Sequence, residues 1–93
     1  MIDELFAIIT DRKTHPQPGS YTNQLLDAGE NKILKKINEE ATEVIVAAKV
    51  EGSQRLVEEV ADLFYHTLVL LASRDIELEA VKAELRRRHS PGR

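Results

Sequence analysis

The 93-residue chain contains no cysteine and no tryptophan. Without cysteine it has no disulfide, no thiolate nucleophile and no cysteine-ligated zinc site. Its aromatic side chains are two phenylalanines and two tyrosines, too few for a platform that stacks nucleic-acid bases. A net charge of −3 provides no general attraction to nucleic acid or to acidic membranes. If the protein handles nucleotides, the sequence predicts that it binds them as small molecules.

Long apolar runs are also missing. A transmembrane helix needs about 18 consecutive apolar residues, and no such run occurs. The N-terminus carries Asp3 and Glu4 where a secretory signal carries basic residues, so we expect a cytoplasmic protein. The length fits a single domain, residues 1–93, with 91–93 as a flexible tail. A domain of this size buries a modest core, so association with a partner chain is a plausible further source of stability.

Apolar residues recur at intervals of three and four, the spacing of helices rather than strands. We expect Gly29 to end the second helix, Gly52 to end the third and Ser53 to cap the fourth. Two prolines and a glycine predict a loop between the first two helices. The predicted helices span about 1–13, 22–28, 30–51, 54–74 and 78–88. The fold class is therefore predicted to be all-α, a helical hairpin within a bundle of four to five helices.

The third helix carries the first of two acidic clusters. At about 100° per residue, its predicted apolar face consists of Ile33, Ile37, Ala41, Val44 and Ala48. A second stripe beside this face consists of Lys36, Glu40, Glu43 and Ala47. Glu40 and Glu43 are therefore expected one turn apart at the edge of the core. Glu39 is expected to point farther outward.

The fourth helix carries the second cluster. Apolar residues cover well over half of its circumference, so we expect it to be buried nearly all round. Its polar gap holds Glu59, Asp62 and His66, while Glu58 lies off that line. A Glu-x-x-Glu pair on a helix usually means a solvated face. Carboxylates in the polar gap of a buried helix, however, lose hydration and repel one another, so they need compensation.

A divalent cation would compensate these acids better than nearby lysines. Glu40, Glu43, Glu59 and Asp62 would supply four hard oxygen ligands from two antiparallel helices, a set that selects Mg²⁺, with Mn²⁺ as a possible substitute, over zinc. Mg²⁺ in such a site takes substrate phosphates as further ligands and supports phosphoanhydride hydrolysis. No glycine-rich phosphate loop is present. Side chains must therefore help to hold phosphate, and Lys36 is the best placed.

The order Glu-x-x-Glu, helical spacer, Glu-x-x-Asp resembles the all-α nucleoside triphosphate pyrophosphohydrolase superfamily, the MazG-like group. Within it, the chain is similar to the phosphoribosyl-ATP pyrophosphohydrolase family of histidine biosynthesis. The resemblance covers about residues 1–88. It rests on Gly19-Ser20-Tyr21-Thr22 with Leu25 and Gly29, on Lys36-x-x-Glu39-Glu40-x-x-Glu43, on Glu58-Glu59-x-x-Asp62-x-x-Tyr65-His66 and on Glu84-Leu85-x-x-Arg88.

The resemblance implies an enzyme that hydrolyses phosphoribosyl-ATP to phosphoribosyl-AMP and pyrophosphate with Mg²⁺, early in histidine biosynthesis. It implies that Lys36 contacts phosphate and that the metal ligands are Glu40, Glu43, Glu59 and Asp62. Some organisms fuse this domain to the cyclohydrolase of the next step. The short chain and its missing thiols predict the form without that second domain.

Three of the acids are candidates for catalysis. Glu39, Glu40 and Glu58 could deprotonate the attacking water, and Glu39 and Glu58 could instead support a metal ligand. His66 continues the acidic line on its helix. It is expected either as a hydrogen-bonded interior histidine or as a group that orients a carboxylate.

The remaining candidates for substrate binding have two interpretations each. Ser20, Tyr21 and Thr22 precede a helix. The serine or the threonine could cap it, or the hydroxyls could reach the phosphate or ribose of a nucleotide. Arg88 ends the last helix. It could be a solvated cation that suits the helix dipole, or it could reach a phosphate across a dimer.

The broad apolar arc of the fourth helix predicts a homodimer or a higher even assembly. Two other functions remain open. A housecleaning pyrophosphatase acting on dCTP or a modified nucleotide would share the metal chemistry, and only a comparison of substrates separates it. A non-catalytic dimeric helical adaptor would leave its acids in solvent and gain no thermal stability from Mg²⁺.

Overall fold

Five α-helices occupy residues 1–89, the part of the chain that the computed structural model describes, and no strand occurs among them. The all-α prediction is confirmed, and four of the five predicted helices begin and end within one residue of the observed bounds. None of the described helices is long and apolar enough to cross a membrane. The predicted tail, 91–93, lies outside the described residues. The helices are α1 (Ile2–Thr14), α2 (Tyr21–Ala28), α3 (Glu30–Val46), α4 (Ser53–Ser73) and α5 (Leu78–His89).

The end of the third helix differs from the prediction. The α-helical part stops at Val46, and Ala47–Glu51 continue as a turn of π-helix. Gly52 then reverses the chain with φ 88°, a conformation that glycine adopts without strain. Because Gly52 occupies the N-cap position of α4, Ser53 is already the first helical residue. The predicted serine cap was therefore wrong.

The core lies where α1 and α2 pack against the hairpin of α3 and α4. Ile33 of α3 is fully buried, and burial of such a side chain contributes about 2 kcal/mol. α5 adds no buried residue; it attaches through Leu78, which packs on the core, and through an ion pair between Lys82 and Asp3. The buried core cluster consists of Phe6, Ile9, Leu25, Ile33, Leu68, Val69 and Ala72.

Two predictions about helix faces were wrong. In the π-helical turn that continues α3, Ala47 is buried and Ala48 is exposed, because the face toward α4 is centred between the predicted apolar face and the acidic stripe. On α4, Val57 is 63% exposed and Phe64 54% exposed, so the helix is not buried all round. The other helices within residues 1–89 therefore leave part of the apolar circumference of α4 exposed.

Candidate metal centre

Three glutamates meet between α3 and α4. Carboxylate oxygens of Glu40, Glu43 and Glu59 all lie within 4.8 Å of one another. Glu40 is only 6% exposed and Glu59 only 3%, whereas Glu43 is open to solvent. The two helices therefore bring acids from both predicted clusters together. Glu40 lies deeper than the core-edge position predicted for it, because the packed face of α3 is rotated toward the acidic stripe.

Asp62 lies beside this cluster on the solvent side. Its side chain is exposed, and it follows Glu59 by three residues on α4, which is one helical turn. Its negative charge contributes to the raised pKa of Glu40, and its hydrogen bond contributes to the raised pKa of Glu59. The structure thus brings three of the four predicted ligands together, and Asp62 lies beside them without joining the group of close carboxylate oxygens.

The cluster is short of positive charge. A hydrogen bond with Glu43, burial and the negative charge of Glu43 raise the pKa of Glu59 to about 7, against the opposing effect of Arg55. The same hydrogen bond lowers the pKa of Glu43. Burial, followed by the charges of Glu43 and Asp62, raises the pKa of Glu40. The carboxyl group of Glu59 is therefore about half protonated at pH 7.

One carboxylate oxygen has no partner. Glu40 Oε2 is buried and accepts no hydrogen bond from any described residue. A buried polar atom left unsatisfied is costly, and more so when it carries charge. A hard divalent cation would satisfy this oxygen and relieve the repulsion among its neighbours, and the all-oxygen donor set fits Mg²⁺ or Mn²⁺. The residues present therefore fit the predicted kind of metal site.

Two cations border the acids. Lys36 Nζ lies 3.5 Å from Glu39 and 3.7 Å from Glu40. Burial tends to lower the pKa of Lys36, but Tyr21 and these two glutamates outweigh it, so the pKa is raised. Arg55 lies 3.3 Å from Glu59 on the same helix. The sequence analysis missed Arg55, although its position four residues before Glu59 was a usable signal.

The two outer glutamates have different surroundings. Glu39 is half-buried and faces Lys36. Glu58 accepts hydrogen bonds from Gln54 at 3.0 Å and from Arg55 at 2.5 Å, which lower its pKa. Glu58 is therefore held by its own helix, whereas Glu39 lies beside the proposed phosphate-binding lysine.

The hydroxyls at the start of α2 all make hydrogen bonds within the protein. Ser20 Oγ accepts a hydrogen bond from the Asn23 amide at 3.2 Å, which confirms the capping interpretation for Ser20. The Tyr21 hydroxyl lies 3.0 Å from His66 Nε2. Thr22 and Tyr65 share a hydrogen bond between their hydroxyls.

His66 is the hydrogen-bonded interior histidine that was one of its two interpretations. It is 5% exposed, and its Nδ1 lies 2.8 Å from the carbonyl oxygen of Asp62. Because a carbonyl only accepts, Nδ1 is the donor to Asp62, and in the neutral ring Nε2 then accepts from Tyr21.

Asn23 and Arg88 are both held by hydrogen bonds to nearby groups. Asn23, which the sequence analysis did not single out, ties the preceding loop to α1: its Oδ1 accepts from the Gln17 amide at 2.9 Å and its Nδ2 donates to the Arg12 carbonyl at 2.8 Å. Arg88 donates to Glu84 on its own helix at 2.8 Å. Within residues 1–89 it makes no ion pair with the acidic cluster.

Comparison with known proteins gives one consistent result. The phosphoribosyl-ATP pyrophosphohydrolase family matches residues 2–89. The phosphoribosyl-ATP pyrophosphatase of Methanocella arvoryzae is 50% identical over 90 residues, which cover 95% of both chains. That of Listeria monocytogenes is 54% identical over 88 residues, or 95% of this chain and 84% of the relative. The histidine biosynthesis bifunctional protein HisIE of Gloeobacter violaceus is 55% identical over 87 residues, which cover 94% of this chain and 39% of that protein.

Proposed function

The chain belongs to the phosphoribosyl-ATP pyrophosphohydrolase family, and from this we propose that it hydrolyses phosphoribosyl-ATP to phosphoribosyl-AMP and pyrophosphate in histidine biosynthesis. The observation in the molecule that carries this proposal is the unpartnered Glu40 Oε2 inside a cluster of like charges. Such an arrangement is poorly suited to a structural role and well suited to a cation that binds phosphates. We infer a cytoplasmic location, because the proposed substrate is made from ATP.

Four side chains would hold the metal. Glu40 and Glu43 from α3, with Glu59 and Asp62 from α4, are the proposed ligands of Mg²⁺, for which Mn²⁺ could substitute. When bound, the cation supplies positive charge that orients the phosphates and favours water as a nucleophile. Glu40 would contribute the oxygen that has no partner. Glu59, whose pKa is raised to about 7 by its neighbours, would bind the cation in its deprotonated form.

The reaction is a displacement at the α–β anhydride linkage of the triphosphate. Lys36, which remains charged beside the acids, binds a phosphate and holds the triphosphate in place. A carboxylate accepts a proton from water as the water oxygen bonds to phosphorus. The anhydride bond then breaks, and pyrophosphate leaves with the electron pair of that bond.

Of the three candidate bases, Glu39 and Glu40 are supported better than Glu58. A carboxylate with a lowered pKa is a weaker base, and hydrogen bonds from Gln54 and Arg55 lower the pKa of Glu58. The raised pKa of Glu40 makes its carboxylate a stronger base. Glu39 lies beside Lys36, where a bound phosphate would bring the attacking water.

The first test is pyrophosphate release by the purified chain with Mg²⁺, comparing phosphoribosyl-ATP with ATP and dCTP. We expect a strong preference for phosphoribosyl-ATP and no release in the presence of a chelator. Preference for dCTP would move the protein to nucleotide housecleaning. No release from any of the three, together with no thermal stabilisation by Mg²⁺, would favour the adaptor.

We also propose that the active protein is a homodimer. A groove of about 440 Å³ between α1, α4 and α5 is almost wholly apolar, and Phe64, which lines it, is 54% exposed. Exposed apolar patches of this kind usually mark an interface. Within such a dimer, Arg88 of one chain could reach the substrate of the other.

Light scattering after gel filtration tests the dimer. We expect twice the chain mass of 10.5 kDa for the wild type. Phe64→Glu should give the single-chain mass, and Ile8→Glu, which alters an exposed side chain outside the groove, should remain dimeric. A wild-type mass of one chain at working concentration would refute the dimer.

A further inference from the structure

The two acidic clusters share one pattern, in which a basic residue comes first. In each copy the cation contacts an outer glutamate three residues on and a buried glutamate four residues on. Lys36 is the proposed phosphate ligand of the first copy, and Arg55 occupies the equivalent position in the second. The two copies are Lys36-x-x-Glu39-Glu40-x-x-Glu43 on α3 and Arg55-x-x-Glu58-Glu59-x-x-Asp62 on α4.

The two cations lie at opposite ends of the carboxylates. Because α3 and α4 run antiparallel, Lys36 lies toward the open end of the hairpin, whereas Arg55 lies toward its tip at Gly52. Short distances join the two cations across the cluster. Arg55 Nη2 lies 3.3 Å from Glu59, and Lys36 Nζ lies 3.7 Å from Glu40. Carboxylate oxygens of these two glutamates lie within 4.8 Å of each other. A polyphosphate bound to a metal ion on these carboxylates would therefore have a basic side chain at each end.

The Arg55 side chain has donors to spare. It is 50% exposed, and among residues 1–89 its guanidinium makes one hydrogen bond, from Nη1 to Glu58 at 2.5 Å. A guanidinium carries five N–H donors in a planar fork that binds phosphate oxygens in pairs. Pairs of this spacing are common on solvated helix faces, but Glu59 is buried and belongs to the proposed metal site. A metal ion bound to Glu59 would neutralise its charge and leave the guanidinium available to a phosphate.

From this arrangement we infer that Arg55 is a second phosphate-binding residue, which holds the triphosphate of the substrate at the tip side of the metal site while Lys36 holds it at the other side. The identity of that substrate rests on the proposed function. A triphosphate beside four carboxylates gathers more negative charge than one divalent cation and one lysine neutralise, and Arg55 supplies part of the difference. Glu58 holds the guanidinium at the rim of the site, as Glu39 holds Lys36.

Removal of the guanidinium should affect two ligands in opposite directions. Arg55→Gln takes a positive charge away from Glu59, so Mg²⁺ alone should bind at least as tightly as it binds the wild type. A phosphate loses a charge-assisted hydrogen bond, so the Kd of inorganic triphosphate bound together with Mg²⁺ should rise about 10-fold. KM for phosphoribosyl-ATP should rise by a similar factor with little change in kcat, because the contact is made before and during the reaction. An arginine that only compensates Glu59 would instead leave both ligands bound as tightly as before, or more tightly.

Two further variants separate phosphate binding from general charge. Lys49→Gln is the matched control, because it removes an exposed positive charge from the π-helical turn at the same tip. Among the described residues, Arg55 pairs with acids of the cluster and Lys49 does not. We expect Lys49→Gln to change the Kd of triphosphate by less than about twofold, since exposed charges at a distance are screened by salt. Arg55→Lys keeps the charge but loses the fork and should bind triphosphate with intermediate affinity.

Titration calorimetry with inorganic triphosphate at saturating Mg²⁺ measures this Kd without phosphoribosyl-ATP, and Tm against Mg²⁺ concentration measures binding of the metal alone. Unchanged or tighter triphosphate binding in Arg55→Gln, an equal loss in Lys49→Gln, or a wild type that binds no triphosphate would overturn the inference and leave the proposed function intact. A wild type that binds triphosphate with Mg²⁺ but releases no pyrophosphate from phosphoribosyl-ATP would overturn the proposed function instead.

Discussion

The hairpin of α3 and α4 gives its glutamates opposite kinds of charged partner at two places along its length. At its open end, Glu30 of α3 meets Arg74, the residue that directly follows α4, with Nε–Oε1 at 2.6 Å and Nη2–Oε2 at 3.3 Å. The hydrogen bonds from Arg74 lower the pKa of Glu30. Midway along the same two helices, Glu43 meets Glu59, and the pKa of Glu59 rises to about 7.

The difference shows what distinguishes a structural acid from a site. Both regions place a glutamate of α3 against a charged residue of α4 or directly after it, and both glutamates stand in helical sequence. A guanidinium opposite the carboxylate neutralises its negative charge. A second carboxylate instead leaves negative charge uncompensated, and a positively charged ligand can neutralise it. The uncompensated negative charge in the middle of the hairpin is the physical reason to expect a cation there.

The largest effect is expected from removing a proposed ligand. Glu40→Gln should lower kcat/KM by more than about 100-fold, the upper end of what loss of a metal-supporting group costs. It should also abolish the rise in Tm with Mg²⁺ while raising the Tm of the metal-free protein, because one repelling charge is gone. Thermal scans with Mg²⁺ and with chelator measure both. Glu30→Gln is the control and should keep full activity. A Glu40→Gln protein that is still stabilised by Mg²⁺ would contradict the ligand assignment.

A smaller effect is expected from pH. A carboxyl group with a raised pKa adds stability that is fully present below its unfolded pKa of about 4.5 and is lost as pH rises through its folded pKa of about 7. The Tm of the metal-free wild type should therefore fall between pH 5 and 8. Glu30, whose pKa is lowered, has the opposite sign: its contribution is present above about pH 4.5 and disappears as pH falls below that value.

Calorimetric scans of chelator-treated protein at several pH values test this difference. Glu59→Gln should flatten the decline of Tm between pH 5 and 8, and saturation with Mg²⁺ should flatten it in the wild type. Glu30→Gln should leave the decline unchanged. An equal slope in wild type and Glu59→Gln would show that the cluster does not govern it.

A smaller effect again is expected from Arg55. This side chain is the nearest cation to Glu59, at 3.3 Å, and it opposes the rise in the pKa of Glu59. Arg55→Gln should move the decline of metal-free Tm to higher pH and should tighten Mg²⁺ binding modestly, because a competing positive charge is removed. Titration of Mg²⁺ followed by Tm measures the second effect, and weaker Mg²⁺ binding in the variant would contradict it.

The smallest effect is expected at the open end. Arg74→Gln leaves Glu30 without its partner, but the pair is exposed to water and salt. Exposed ion pairs contribute little to stability, so Tm at pH 7 should fall by less than about 4 °C. The drop should shrink further in 0.5 M salt. A loss as large as that of a core substitution would mean that the hairpin depends on this pair.

Much of the architecture was predictable because residues close together in the sequence determine it. Gly29 and Gly52 mark helix ends that the structure keeps, and the acidic spacing placed Glu40 and Glu59 on faces that do meet. Helix periodicity fixes which residues share a face, so two neighbouring clusters on antiparallel helices predict convergence. The rotation of α3 that buries Ala47 instead of Ala48 depends on how α4 packs, which periodicity does not contain.

The partners of the polar side chains were not predictable in the same way. Tyr21 and His66 are 45 residues apart, and nothing local indicates that the Tyr21 hydroxyl would meet an imidazole. Ser53 is a residue type that often caps helices, but Gly52 occupies the N-cap position of α4. The exposure of Phe64 has a different origin, since an apolar arc in the sequence does not say which chain covers it.

The close spacing of the acids along the chain has a consequence for the order in which the protein folds. All four proposed ligands and Lys36 lie in one hairpin, and contacts that are local in sequence tend to form early and fast. The carboxylates are therefore expected to approach one another before α1 docks on the hairpin. Their repulsion then acts on the barrier to folding. Divalent cations should accordingly speed refolding in stopped-flow experiments, in addition to slowing the unfolding of the finished protein.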